Sequence, residues 1–431
     1  MRLATSLVAT LLFATSNAQY YRDSLAECNS FIKIFDTTAG PNDEPLVNGE
    51  KYQLVSCDIG TGGVCPDGTI QSSGKICSWA RYLKVICYKN VGTTVISVTT
   101  NSMPNHCYNA YADGDQRPVG TAEFNDIVKY SWTVDFNKYP LSMQAASGFN
   151  TVSGYFYSKL TTQKLVDDLM CYDSALDSIN LDPYMHYSEK IIYKTTTVEP
   201  WDDLESASDL TITKLPSSDN VAGIALNGVF IFSGTSSWNI DGFYPKSWNG
   251  QSSLKYLDND VCMGTSESYN VYRYHMYSPC IWSTGSAALK RRVEACKDEN
   301  APNCQSDPTA FVKGYTDNTD YGIKPIGVAK DGRPIYNPYK IDGTLWQPCE
   351  VDICNGRFTS RNFYAYQLTM FYPYTIGCWG PGNSPTLKPS CSSNPRVCIS
   401  TSNGSSSAVN LLINSLKIGV LSVFMMFASM I

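Results

Sequence analysis

Histidine is nearly missing from this chain. Only His106, His186 and His275 occur among 431 residues. Zinc and copper sites draw three or four ligands from His, Cys or carboxylate, so a His-based centre has little to build from, and no metal or other cofactor is expected. The common nucleophile and phosphate motifs are missing as well: there is no G-x-S-x-G, no H-E-x-x-H and no G-x-G-x-x-G. Gly68 to Gly74 followed by Lys75 has the wrong spacing for a phosphate loop, and Ile76 stands where a hydroxyl is required; the stretch reads as a turn. No C-x-x-C occurs. Basic clusters go no further than Lys290-Arg291-Arg292, and the net charge is −6. A nucleic-acid partner is therefore not expected. Paired carboxylates such as Asp202-Asp203 and Asp258 with Asp260 read as solvated turn residues rather than as an acid and base pair.

Cysteine, by contrast, is plentiful. There are 16, an even number, and without metal-type spacings their natural use is disulfide bonding in an oxidising lumen. Both ends agree. Met1-Arg2 precedes the apolar run Leu3 to Ala14, which is too short for a membrane span of about 20 residues. Ser16-Asn17-Ala18 follows, which predicts cleavage after Ala18 and removal of residues 1–18. At the other end Asn403-Gly404-Ser405 offers small residues. A short spacer and the apolar run Ile418 to Ile431 come next. That order predicts a GPI signal with attachment at Asn403, a removed tail 404–431, and tethering to the outer leaflet of the plasma membrane. Asn403 also forms the chain's only N-x-S/T sequon.

The fold class read from pattern is mainly β: a disulfide-stapled N-terminal β module followed by a duplicated β domain with a few short helices. Residues 19–110 hold Cys28, Cys57, Cys65, Cys77, Cys87 and Cys107, expected to pair among themselves. Turn chemistry separates strands at Lys51–Cys57, Tyr82–Cys87 and Thr93–Thr100. A connecting α+β region, 111–189, carries a strand at Ile127–Phe136 and an amphipathic helix over 161–179. Lys190–Tyr193 turns β-like again, and Ser286–Asp298 reads as a short helix. Residues 381–403 are rich in Ser, Pro and Asn and read as a stalk.

Within 190–380 the sequence repeats itself. Gly223 to Phe232 matches Gly327 to Tyr336, each an apolar lead, an Asn-Gly or Asp-Gly turn and an apolar exit. Cys262-Met263-Gly264 stands ten positions before Tyr272-Arg273-Tyr274-His275, and Cys354-Asn355-Gly356 stands ten before Tyr364-Ala365-Tyr366-Gln367. Two matches in one order predict a duplicated β unit with its copies packed together. Disulfides that respect the repeat are Cys262 with Cys280, Cys354 with Cys378, and Cys296 with Cys304. Cys171, Cys349, Cys391 and Cys398 are then left to one another.

Tyr272 to Cys280, including Pro279, resembles the signature of the YHYH domain family. Ile224–Phe232, Ile326–Tyr339 with its Asp331-Gly332 turn, and Tyr372–Cys378 are similar to that family as well. The resemblance implies an extracytoplasmic protein and brings no established activity. The family's histidine clustering implies metal binding. Here its histidine positions hold Thr265, Arg273 and His275, and in the second copy Arg357, Ala365 and Gln367. Only His275 remains as a metal candidate. The expected role is adhesion, recognition or coat formation with a glycan or protein ligand. A metal-dependent or hydrolytic ectoenzyme centred on His275 is the alternative. Tyrosine outnumbers phenylalanine 29 to 16. Tyr364, Tyr366, Tyr372 and Tyr374, with Phe363 and Phe371, form either a sugar-stacking patch or a tyrosine-rich β core.

Overall fold

Alternating apolar and polar residues between turn signals give short strands, and two well-capped helices accompany them. The computed structural model describes residues 20–109, 126, 129–138, 163, 221–232, 243, 259–266, 272–282, 287–297, 300–316, 321–352, 354–371, 374–376, 380–381 and 387–391. Helix α1, Leu25–Ile32, begins at Ser24, whose hydroxyl accepts the Glu27 N–H, and buries Cys28 and Phe31. It was not foreseen in the β module. Strands β1, Gln53–Cys57, and β2, Cys77–Arg81, form a two-stranded sheet. Strands β3, Leu83–Asn90, β4, Thr93–Thr100, and β5, Tyr130–Asp135, form an antiparallel meander. Disulfides Cys28–Cys87, Cys57–Cys107 and Cys65–Cys77 staple this region.

The duplication is visible in the larger sheet. The first copy supplies β6, Val221–Ala225, β7, Phe230–Phe232, β8, Gly264–Ser266, and β9, Tyr272–Tyr274. Helix α2, Pro308–Tyr315, lies between the copies and is capped by the Asp307 carboxylate. The second copy supplies β10, Pro325–Ala329, β11, Pro334–Tyr336, β12, Gly356–Phe358, and β13, Tyr364–Gln367. The sheet order is β12-β13-β11-β10-β6-β7-β9-β8. Each copy is hairpin, parallel neighbour, antiparallel edge, and the copies meet antiparallel at β6 and β10, so the order reads the same from either end.

That central contact sets the spacing of the copies. A Cβ at Gly223 would lie 2.6 Å from the Val328 carbonyl oxygen, and one at Gly327 would lie 2.2 Å from the Ile224 carbonyl oxygen. Only hydrogen fits at either point.

One buried cluster runs from Tyr21 and Phe31 through Ile96, Ile224 and Tyr274 to Tyr366 and Ile376, so the N-terminal region and the duplicated sheet share a core. The turn of the first copy docks on the meander, where Thr100 Oγ1 donates to the Gly228 carbonyl at 2.7 Å. In the second copy the Asn137 N–H donates to the Gly332 carbonyl at 2.9 Å. Arg81, 1% exposed, donates through Nε to the Asn227 carbonyl at 2.9 Å and reaches Asp36 and Gln53 through its other nitrogens.

Two expectations change. Of the helix expected over Ser286–Asp298, the described residues 287–297 form only one tight turn, Leu289–Arg291. Arg292 is extended, and the Cys296 N–H bonds the Asn259 carbonyl beside an Asp260–Ala295 bridge, which holds the segment as an edge against the turn at Asp260. The stalk does not begin at 381. Leu387 packs on the core and Cys391 is bonded to Cys349, so the chain is held to the domain as far as 391. Of the two readings of the tyrosine cluster, the β core holds, since Tyr364, Tyr366 and Tyr374 are buried. Cys262–Cys280 and Cys296–Cys304 are disulfides, and Cys354 is disulfide-bonded. Residues 1–18, the helix over 161–179 apart from Gln163, Lys190–Tyr193, Tyr372, Cys171, Cys378, Cys398, Asn403 and the tail lie outside the described residues. Among the described residues no helix is long and apolar enough to cross a membrane.

Gly327→Ala should cost at least about 2 kcal/mol, because backbone on both sides must move. Gly40→Ala, whose Cβ would find its nearest neighbour at 3.5 Å, should change stability by less than about 1 kcal/mol. Urea unfolding of both variants measures the difference.

Candidate functional site

Strand alternation puts Tyr272 and Tyr274 on one face of the sheet and Arg273 and His275 on the other. Register extends both rows to the second copy, where Tyr364 and Tyr366 share the first face, and Ala365, Gln367 and the β12 residue Arg357 share the second.

The tyrosine face is built on a turn that both copies repeat. Asp260 Oδ1 accepts the N–H groups of Cys262, at 2.9 Å, and Gly264, at 3.3 Å; Asp352 Oδ1 accepts those of Cys354 and Gly356, each at 2.9 Å. Met263 and Asn355 complete the turns in left-handed conformation, φ 62° and 58°. The first tyrosine of each motif donates to that aspartate: Tyr272 reaches Asp260 at 2.9 Å and Tyr364 reaches Asp352 at 2.7 Å. The second tyrosine bonds the hairpin-turn residue. Tyr366 donates to Asp331 Oδ2 at 2.7 Å, and Tyr274 accepts from Asn227 Nδ2 at 2.9 Å. The two Asp-Tyr pairs, the two cysteine-led turns and the Asn-Gly and Asp-Gly hairpins are thus one interlocking device used twice. Asp260 was read as a solvated carboxylate. It is fully buried, because the turn it supports lies beneath the tyrosines.

The copies differ in charge. In the second, Asp331 forms a buried ion pair with Arg333, which holds that guanidinium's pKa above its ordinary value despite burial. In the first, Asn227 and Val229 replace that pair, and His106 arrives from the N-terminal module. Its Nδ1 lies 2.7 Å from the Cys107 carbonyl, an acceptor only, so Nδ1 carries the proton. Nε2 then accepts from the Tyr274 hydroxyl at 2.6 Å. Burial pushes the His106 pKa down to about 3. Burial also pushes Asp260 up to about 7, against the opposing hydrogen bonds from Tyr272 and backbone N–H groups. His106 and the sulfurs of Cys262 and Cys280 lie within 4.8 Å of one another. The sulfurs are joined as a disulfide and both ring nitrogens are occupied, so the group is not arranged to ligate a metal.

On the opposite face, Arg273 stacks 3.8 Å from the Phe232 ring centroid, and His275 meets the same ring edge-on at 6.1 Å. His275 is 3% exposed and its Nε2 lies 2.8 Å from Thr265 Oγ1. Pro279 is buried beside Cys280. The strand β5 residue Tyr130 packs on Phe230 at 5.7 Å, so the meander lies over this face in the first copy. In the second copy the face opens into a cleft of about 820 Å³, lined by Tyr20, Trp346, Arg357, Phe358 and Thr359 among others. Arg357 lies 4.1 Å from the Trp346 ring centroid and donates to the Tyr20 hydroxyl. Sequence reasoning named the motif residues Tyr272, Arg273, Tyr274, His275, Pro279, Asp331 and Gly332. It gave no site role to His106, Asn227 or Arg333 and did not foresee the cleft. The repeat alignment carried one usable signal, the exchange of Arg between Arg273 and Arg357.

No protein-family model, no curated protein and no solved structure matches this chain.

The two buried titratable groups oppose one another. The folded pKa of Asp260, about 7, lies above the ordinary carboxylate value, so its contribution is full in acid and is lost as pH rises from about 4 to 7. The folded pKa of His106, about 3, lies below the ordinary imidazole value, so its contribution is full above about 6.5 and is lost as pH falls toward 3. Asp260→Asn should therefore leave a protein whose stability rises from pH 4 to 6.5. His106→Gln should leave one whose stability falls over the same window. Each slope is at most roughly 1.4 kcal/mol per pH unit. Unfolding midpoints of both variants across pH 4–8 check the signs.

Proposed function

We propose that this chain is a GPI-anchored surface protein of the YHYH type whose duplicated β domain serves recognition, in adhesion or in a surface coat. The observation that carries the reading is the contrast between the two copies on one face of the sheet. The histidine that a metal or hydrolytic ectoenzyme would use, His275, is buried and bonded to Thr265, whereas the matching region of the second copy is an open, aromatic and cationic cleft. An enzyme needs convergent polar groups that substrate can reach, and a binding protein needs a concave surface with a few placed polar groups. The disulfides support an oxidising compartment. The Ala18 and Asn403 signals support entry into the secretory route and attachment to the outer leaflet.

Two measurements test this. A GPI-specific phospholipase should release the protein from cell membranes into the aqueous phase. Retention, with residues Ile418 to Ile431 still present by mass spectrometry, overturns the anchor. Elemental analysis should find well below one zinc or copper per chain, because Thr265, Arg273, Arg357, Ala365 and Gln367 supply no imidazole. A stoichiometric metal that disappears in His275→Ala would turn the reading toward the ectoenzyme.

A further inference from the structure

The cleft of the second copy is lined by two cations, Arg357 and Lys340, and one carboxylate, Asp342; Lys340 is paired with Glu350, and among the described residues Arg357 has no such pair. Arg357 sits at its wall, on edge strand β12, with its guanidinium against Trp346. Among the described residues no carboxylate lies within 4.0 Å of it. The nearby Glu350 is held by Lys340 at 3.0 and 3.2 Å. Nε of Arg357 and the indole Nε1 of Trp346 are buried donors with no hydrogen-bond partner, and Trp346 is only 6% exposed. Gln367, fully buried on the same face of the sheet, likewise has neither amide atom bonded. Buried polar groups are satisfied in nearly all folded proteins, so the two unbonded donors on the cleft-lining residues Arg357 and Trp346 mark a place where a ligand's acceptor atoms belong. Burial lowers the Arg357 pKa, against the opposing influence of Tyr20 and Glu350.

We propose that this cleft binds a carboxylate-bearing sugar, a uronic-acid-type pyranose, with the carboxylate on Arg357; the proposal rests on the recognition reading above. Guanidinium presents a planar fork that suits a carboxylate. The remaining lining suits a pyranose, which has a flat C–H face and hydroxyl edges. Tyr20 and Phe358 supply rings, and Ser360 supplies an exposed hydroxyl at the mouth. The cleft, about 820 Å³, falls within the range typical of small-ligand sites, about 300–1,000 Å³. A peptide fits less well: it would have to extend the sheet along β12, which is three residues long and offers few backbone hydrogen bonds.

The test uses the full chain purified in detergent from a eukaryotic secretory host, so its outcome does not depend on how the chain is anchored. Calorimetry and saturation-transfer NMR compare methyl glucuronide, methyl glucoside, sodium sulfate and a short peptide ending in glutamate. The glucuronide should bind at least about tenfold more tightly than the glucoside. Arg357→Gln should remove that preference, and Arg361→Ala, which deletes an exposed arginine paired with Glu27, should not. If Arg357→Gln fails to fold, Ser360→Trp carries the same test. Ser360 is exposed at the mouth, so filling it should abolish glucuronide binding while the unfolding temperature moves by less than about 3 °C. Equal binding of the two glycosides, glucuronide binding that survives the variants, binding of only the peptide or sulfate, or no binding at millimolar concentration overturns the proposal. Phospholipase release alongside any of these would leave the surface reading standing and remove only the sugar.

Discussion

The close approach of β6 to β10 is the contact on which the rest of the molecule depends. Gly223 and Gly327 bring two backbones together where no side chain fits, and they do so at equivalent points of two equivalent units. Each hairpin is thereby fixed to its twin, and each second strand takes a parallel neighbour from further along its own copy. The Asp260 and Asp352 turns then close each edge by holding β8 and β12 against β9 and β13. A chain with few long apolar runs can build a large sheet this way, because tyrosines fill its core and carboxylates or amides satisfy the hydroxyls they bring inside.

Symmetry of backbone has not kept symmetry of chemistry. The second copy buries an Arg333–Asp331 ion pair under Tyr366. The first solves the same packing problem with Asn227, a neutral His106 and Tyr274, and borrows the histidine from a segment far away in sequence. Both solutions are buried, the ion pair as completely as the neutral network. On the opposite face the meander covers Phe230 and Arg273, while Arg357 stays at the wall of a cleft. The N-terminal region thus contacts both copies, but the meander covers this face only in the first, and the equivalent face of the second carries the cleft.

Much of the architecture was legible in the sequence because it rests on local rules. Alternation and turn residues marked β1, β3 and β4 to within a few positions, the Asn-Gly and Asp-Gly turns marked both hairpins, and the matched spacing of Cys-x-Gly to the tyrosines marked the duplication. The faces of β9 followed from period two alone. Other elements escaped for physical reasons. Helix α1 is a short amphipathic segment whose start depends on the Ser24 cap. The segment at 289–297 has helical composition, yet its backbone bonds go to Asn259 and Val261, a tertiary choice that overrides propensity.

The sequence by itself determined that the chain is a disulfide-rich, mainly β protein with an internal repeat, because composition, period and spacing are properties of neighbours along the chain. Only the tertiary structure decided which charges are buried. Asp260 looks like any turn carboxylate until the tyrosines close over it, His106 looks idle until it meets Tyr274, and Arg357 looks like a lost histidine position until Trp346 and Tyr20 frame it. Burial and partnership arise between residues hundreds of positions apart, as with Tyr20 and Arg357, and no local pattern encodes a distance of that kind.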